Sequence, residues 1–120
     1  IDQAEEKIER DRVVDIVATQ PKQFKITLHS IVTVCSNNTN QSIFTGDVYN
    51  TYKETCSQCG ITPLTQRRLS DIIAELDMLG IINAKVISKG RYGRTREISL
   101  AIPEGNITQI TTILKNSLSL

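Results

Sequence analysis

Tryptophan is absent, aromatic residues make up only 4% of the 120 residues, and the chain has one histidine, three cysteines and three prolines. Any core it builds is therefore mostly aliphatic. No run approaches the ~18–20 apolar residues of a membrane span, and no leader pattern opens the chain. Three cysteines are too few for a disulfide-stapled secreted scaffold. Several enzyme signatures are missing too. There is no G-x-x-x-x-G-K-S/T phosphate loop and no H-E-x-x-H zinc motif. A G-x-S-x-G nucleophile elbow is also lacking. Asp71, Glu75 and Asp77 lie on one expected helix and read as a solvated face, so no catalytic residue is assigned.

What is present suits one packed domain. Apolar residues are 39% and charged residues 22%, too much apolar material for a disordered tail, and the length is that of a single domain. The first residue is Ile1, which suggests a piece of a longer protein. Net charge is +1, but residues 85–96 hold Lys85, Lys89, Arg91, Arg94 and Arg96 with no acid, so the rest of the chain is net −4. A basic spot on a nearly neutral chain points to a local anionic partner.

Periodicity gives the order of elements. Residues 2–17 read as a charged helix, and Pro21 interrupts the chain after it. Phe24, Leu28, Ile31, Val32 and Cys35 recur at helical spacing and predict a second helix with one apolar face. A polar loop over 36–42 follows. A third helix is expected with Thr45 as its cap, Val48, Tyr49, Tyr52, Cys56 and Cys59 inside, and Gly60 as its stop. Thr65 opens a fourth, in which Leu69, Ile72, Ile73, Leu76 and Leu79 form an unbroken stripe up to Gly80. The period then falls to two. Ile82, Ala84 and Val86, and later Ile98, Leu100 and Ile102, are the inward positions of two strands around a Gly/Arg hairpin over 88–95. Asn106 with Gln109 predicts a capping box for a last helix carrying Ile107, Ile110, Ile113, Leu114 and Leu118.

This order is α+β, mostly helical. It is that of a winged helix-turn-helix with a two-stranded wing hairpin, preceded by a charged helix and followed by a C-terminal helix. In that arrangement the second helix of the pair offers its N-terminal residues to a DNA major groove. Here these are Thr65, Gln66, Arg67 and Arg68. Amides at the helix start, with the Thr65 hydroxyl, suit a phosphate. Arg67 points away from the stripe toward a base edge, where Arg reads guanine bidentately. Arg68 is expected on backbone phosphate, and Asp71, one turn after Arg67, to orient its guanidinium. The hairpin residues Lys89, Gly90, Arg91, Tyr92, Gly93 and Arg94 suit phosphates or a minor groove.

Cys56-x-x-Cys59 raises zinc or redox chemistry, but a structural zinc wants four ligands. Only Cys35 and His29 remain as candidates, on different sides of one helix. We expect no metal site, with Cys56 and Cys59 in the apolar stripe of their helix and His29 at the surface or hydrogen-bonded.

Three runs carry a resemblance. They are Thr45-Gly46-Asp47-Val48-Tyr49, then Leu69-Ser70-Asp71-Ile72-Ile73-Ala74-Glu75-Leu76-Asp77-Met78-Leu79-Gly80-Ile81-Ile82, then Ser88-Lys89-Gly90-Arg91-Tyr92-Gly93-Arg94-Thr95. Together they resemble the C-terminal winged-helix domain of the archaeal Orc/Cdc-type AAA+ replication initiators, the origin-recognition family. The opening Ala4-Glu5-Glu6-Lys7-Ile8-Glu9-Arg10-Asp11-Arg12-Val13 is similar to the helix that joins the ATPase portion to this domain.

The resemblance implies a linker helix over 1–18 and a winged-helix DNA-binding domain over 19–120. It implies double-stranded DNA binding at replication origins, with Thr65, Gln66, Arg67, Arg68 and Ser70 in the major groove. Lys89, Gly90, Arg91, Tyr92, Gly93 and Arg94 would lie at the minor groove. It further implies a cytoplasmic, nucleoid-associated archaeal protein that meets the replicative helicase through its full-length form. ATP, ADP and Mg would be bound only by an AAA+ portion outside these residues, so this chain would be no enzyme and would hold no cofactor. Two other readings use the same surface: a dimeric winged-helix transcription regulator, and a protein-interaction module whose hairpin meets an acidic partner.

Overall fold

A computed structural model describes residues 14–37, 43–88, 94–102 and 104–118. The expectations for the first part of the linker helix, the polar loop after Asn37 and the hairpin tip at 89–93 fall outside them. Helix α1 is described over residues 14–19. It is followed by α2 (Lys22–Asn37), β1 (Ile43–Phe44), α3 (Thr45–Cys59), α4 (Gln66–Met78), β2 (Ile82–Ser88), β3 (Arg94–Leu100) and α5 (Glu104–Leu118).

The winged helix expected from the sequence is the fold observed, with one strand added. The sheet is antiparallel with order β1-β3-β2. β3 therefore pairs on both edges, with Ile98 opposite Ile43 on one side and Ala84 on the other. The short β1 changes the start of α3. Phe44, not Thr45, is the extended N-cap, and its N–H donates to the Asp47 carboxylate at 3.0 Å. Thr45 is instead the first helical residue and is buried.

Helix α2 is the centre of packing, touching α3, α4, α5 and β3. It is buried around much of its circumference, through Ile26, Thr27, Leu28, Ser30, Ile31, Val32 and Val34. That corrects the single apolar face read from the sequence. Its small polar residues enter the interior by bonding backward along the helix, Thr27 to the Gln23 carbonyl and Ser30 to the Ile26 carbonyl, both at 2.8 Å. The α4 stripe is buried through Leu69, Ile73 and Leu76, each worth ~1.5–3 kcal/mol, but its expected last member, Leu79, is 38% exposed, because the helix ends at Met78 and Leu79 caps it. Gly80 follows α4 at φ 79°, a left-handed turn that favours glycine. Asp77 is exposed as expected, and its carboxylate accepts the Ala84 N–H at 3.3 Å, tying the end of α4 to β2.

Other expectations shift. β3 begins at Arg94 and ends at Leu100, earlier than the sequence suggested. Val86 is 53% exposed, because β2 leaves the core as it runs toward the hairpin. Helix α5 starts at Glu104, before Asn106. Asn106 therefore heads the buried stripe of Ile110, Leu114 and Leu118 rather than capping it, and its side-chain amide nitrogen finds no partner among the described residues. That stripe is in the core, so α5 does not hold it out as a dimer element. His29 is half-buried rather than at the surface, and among the described residues its Nδ1 has no hydrogen-bond partner. Burial, and then Lys115, hold its pKa below the usual histidine value. Cys56 and Cys59 are unlinked thiols, and burial raises the Cys56 pKa.

The connection between α3 and α4 is held by two tyrosines. Tyr52 Oη accepts the Leu64 N–H at 3.0 Å and donates to Gln23 Oε1 at 2.6 Å. Tyr49 Oη donates to the Leu64 carbonyl at 3.0 Å. The two rings stack with centroids 6.0 Å apart. Burial pushes the Tyr52 phenol up to about 12, although the Leu64 N–H pulls the other way. A phenol whose folded value exceeds its unfolded ~10 stabilises the fold fully below pH 10, and that contribution is lost as pH rises toward 12. Chemical denaturation at stepped pH should therefore show wild type losing stability across pH 10–12 more steeply than Tyr52→Phe. At neutral pH the variant should be less stable by ~1–3 kcal/mol, because Leu64 N–H and Gln23 lose their partner. Parallel pH profiles would contradict the assignment.

Candidate functional site

The turn fixed at Leu64 leads directly into Thr65, the N-cap of α4, whose hydroxyl oxygen accepts the Arg68 N–H at 3.3 Å. The cap satisfies one amide of the first turn and leaves the Thr65 O–H able to donate. Gln66, Arg67 and Arg68 are all exposed. Among the described residues no ion pair holds either arginine, so both guanidiniums can meet an anion. The positive end of the helix dipole adds to this. The expected Arg67–Asp71 pair is not formed among the described residues.

Helical rotation spreads these side chains around α4. Gln66 and Ser70 face the wing and line a cleft of about 220 Å³ with Thr45, Val86, Thr95 and Arg96. Arg68 lies on the other flank, in a groove of about 250 Å³ shared with Phe24, Leu64, Asp71, Ile72 and Glu75. Asp71 and Glu75 bring two carboxylates to that groove, although no ion pair with Arg68 forms among the described residues. Ser70 is half-buried, because its carbonyl accepts from Arg96 Nη1 at 3.4 Å.

Arg96 is the site residue that the sequence reading counted for its charge but did not place. It shares the face of Ile98 along β3, and that parity was a usable signal. The register sets Arg96 opposite Val86 and, on the other face, Lys85 opposite Glu97. Lys85 is thus removed from the basic cluster facing α4. Of the expected wing residues, Lys89, Gly90, Arg91, Tyr92 and Gly93 lie outside the described residues. Arg94 is the first residue of β3, at the register position opposite Ser88. Among the described residues no group of three His, Cys, Asp or Glu could hold a metal ion, and no helix is long and apolar enough to cross a membrane.

Known proteins share this architecture. The family described as the CDC6 C-terminal winged helix domain matches residues 15–110. ORC1-type DNA replication protein 1 of Methanosarcina acetivorans is 50% identical over 108 residues, covering 89% of this chain and 26% of that protein. ORC1-type DNA replication protein 4 of Haloarcula marismortui is 56% identical over 101 residues, covering 84% of this chain and 19% of that protein. The chain thus spans about a quarter or less of the length of these relatives. Among solved structures, the Orc1 protein of Aeropyrum pernix in complex with DNA matches with TM-score 0.82 at 41% identity, over 95% of this chain and 28% of that one. Drosophila ORC bound to DNA matches at 15% identity with TM-score 0.66, over 81% of this chain and 24% of that one, a likeness of fold.

Thr65→Ala should destabilise the domain by ~1 kcal/mol through loss of the cap, and Thr65→Asn should restore most of it. Thermal melts of both variants check this. Equal destabilisation by Ala and Asn would show that the cap is not what Thr65 contributes.

Proposed function

Because the chain belongs to the family of CDC6 C-terminal winged helix domains, we propose that it is the double-stranded DNA-binding domain of a replication initiator and acts at replication origins. Helix α4 enters the major groove through Thr65, Gln66, Arg67, Arg68 and Ser70. The wing, with Lys89, Gly90, Arg91, Tyr92, Gly93 and Arg94, meets the adjacent minor groove. The observation that carries this reading is the exposed, capped start of α4 lying beside the base of a basic hairpin, with Arg67 held by no carboxylate among the described residues. The DNA complex of the similar Aeropyrum pernix Orc1 protein supports it.

Each residue type suits its place. Arg67 can read guanine O6 and N7, Gln66 can read a base edge or a phosphate, and the wing arginines neutralise phosphate. The glycines at 90 and 93 let the backbone approach closely. The domain performs no chemistry itself. Nucleotide and Mg are assigned to an AAA+ portion outside these residues, and contact with a replicative helicase to the longer protein.

Fluorescence-anisotropy titration of an origin-like and a scrambled duplex at several salt concentrations tests this. Four to six phosphate contacts would give a log–log slope of about −4 to −5. Arg94→Ala should weaken binding to both duplexes and flatten the slope by about one unit. Arg67→Ala should instead relax preference at one or two base pairs, by ~1–3 kcal/mol. An unchanged slope in Arg94→Ala would remove the wing from the interface. Equal loss on every sequence in Arg67→Ala would remove base readout.

A further inference from the structure

The described molecule has a second polar feature that the groove assignments leave unused: the cleft between the first turn of α3 and the base of the wing. We propose that this cleft seats one backbone phosphate of the bound duplex, with the Arg96 guanidinium as its ligand. This rests on the DNA-binding reading above.

Two observations converge. First, Arg96 is half-buried, yet among the described residues its guanidinium makes one long hydrogen bond, 3.4 Å to the Ser70 carbonyl. A guanidinium carries five N–H donors, and among the described residues no carboxylate lines the cleft. A partly desolvated cation with most donors uncommitted favours an anion. Asp47, the acidic residue in the first turn of α3, does not line the cleft, and its carboxylate already accepts the Phe44 N–H. Second, the location fits. A sugar-phosphate backbone separates each major groove from its neighbouring minor groove. A domain with a helix in one and a wing in the other straddles that backbone. The cleft lies between α4 and the wing strands, bounded by Gln66 and Ser70 on one side and Val86, Thr95 and Arg96 on the other. A phosphate there would set the register between helix and wing.

The test replaces one phosphate at a time in an origin-like duplex with an uncharged methylphosphonate. Each duplex is titrated with wild type, Arg96→Gln and Arg96→Lys, with a thermal melt of each variant confirming the fold. One linkage between the two grooves should cost wild type about tenfold in affinity and cost Arg96→Gln nothing further. Arg96→Gln should also flatten the salt slope by about 0.9, while Arg96→Lys retains it. A scan in which every linkage costs Arg96→Gln what it costs wild type overturns the seat while leaving DNA binding intact. Failure of the wild-type domain to bind any duplex overturns both the seat and the reading it rests on.

Discussion

One residue of the connection between α3 and α4 has both of its backbone polar groups held by side chains of α3. Leu64 gives its N–H to Tyr52 and its carbonyl to Tyr49, and Tyr52 hands its own proton to Gln23 at the start of α2. The tyrosines are three residues apart on α3, so their rings stack. Helix spacing thus places two phenols where one peptide unit can engage both. Tyr52 is buried, where an unpaired hydroxyl or amide is costly, and the three partners satisfy one another. Thr65 follows immediately and caps α4. The direction in which α4 leaves the core, and hence where Arg67 points, depends on this junction.

From there α4 is joined to the sheet at two places, by the Ser70 carbonyl to Arg96 and by the Asp77 carboxylate to the Ala84 N–H. The first lies near the start of the helix and the second at its end. Helix and wing strands therefore keep a set distance and angle, as a surface that must meet two adjacent grooves requires. The additional pairing of β3 with β1 anchors the strand that carries Arg94 and Arg96. The basic charge is placed with equal economy. Lys85 faces Glu97 in register on the outer surface, while Arg96 turns toward α4.

Helices and strands with a strong period were legible from the sequence. The α4 stripe from Leu69 to Leu76 and the alternation of Ile82 and Ala84 each bury one clear side, so spacing alone located them. The strand β1 was not legible, because two residues carry no period; it forms through pairing with β3. Nor was the wide burial of α2, since Thr27 and Ser30 read as polar until their backward hydrogen bonds are seen. Asn106 satisfied the spacing of a capping box, but the chain enters α5 earlier and packing claims that position. In the site, exposure of Gln66, Arg67 and Arg68 followed from the stripe opposite them. The split of Arg68 from Ser70 onto different flanks required the neighbouring elements, as did the place of Arg96 beside Ser70. Family resemblance added what spacing could not, a reason to connect the helix and the Gly/Arg hairpin to origin DNA.

The central claim is that one continuous surface, from the start of α4 to the wing, meets the duplex. Amide chemical-shift mapping of the isotope-labelled domain during titration with an origin-like duplex tests it most directly. Shifts concentrated at Thr65–Ser70 and at 89–96, with α5 and the buried side of α2 unmoved, are the predicted result. Shifts centred on α5 or on the exposed Met78 and Leu79 at the far end of α4 would contradict the account.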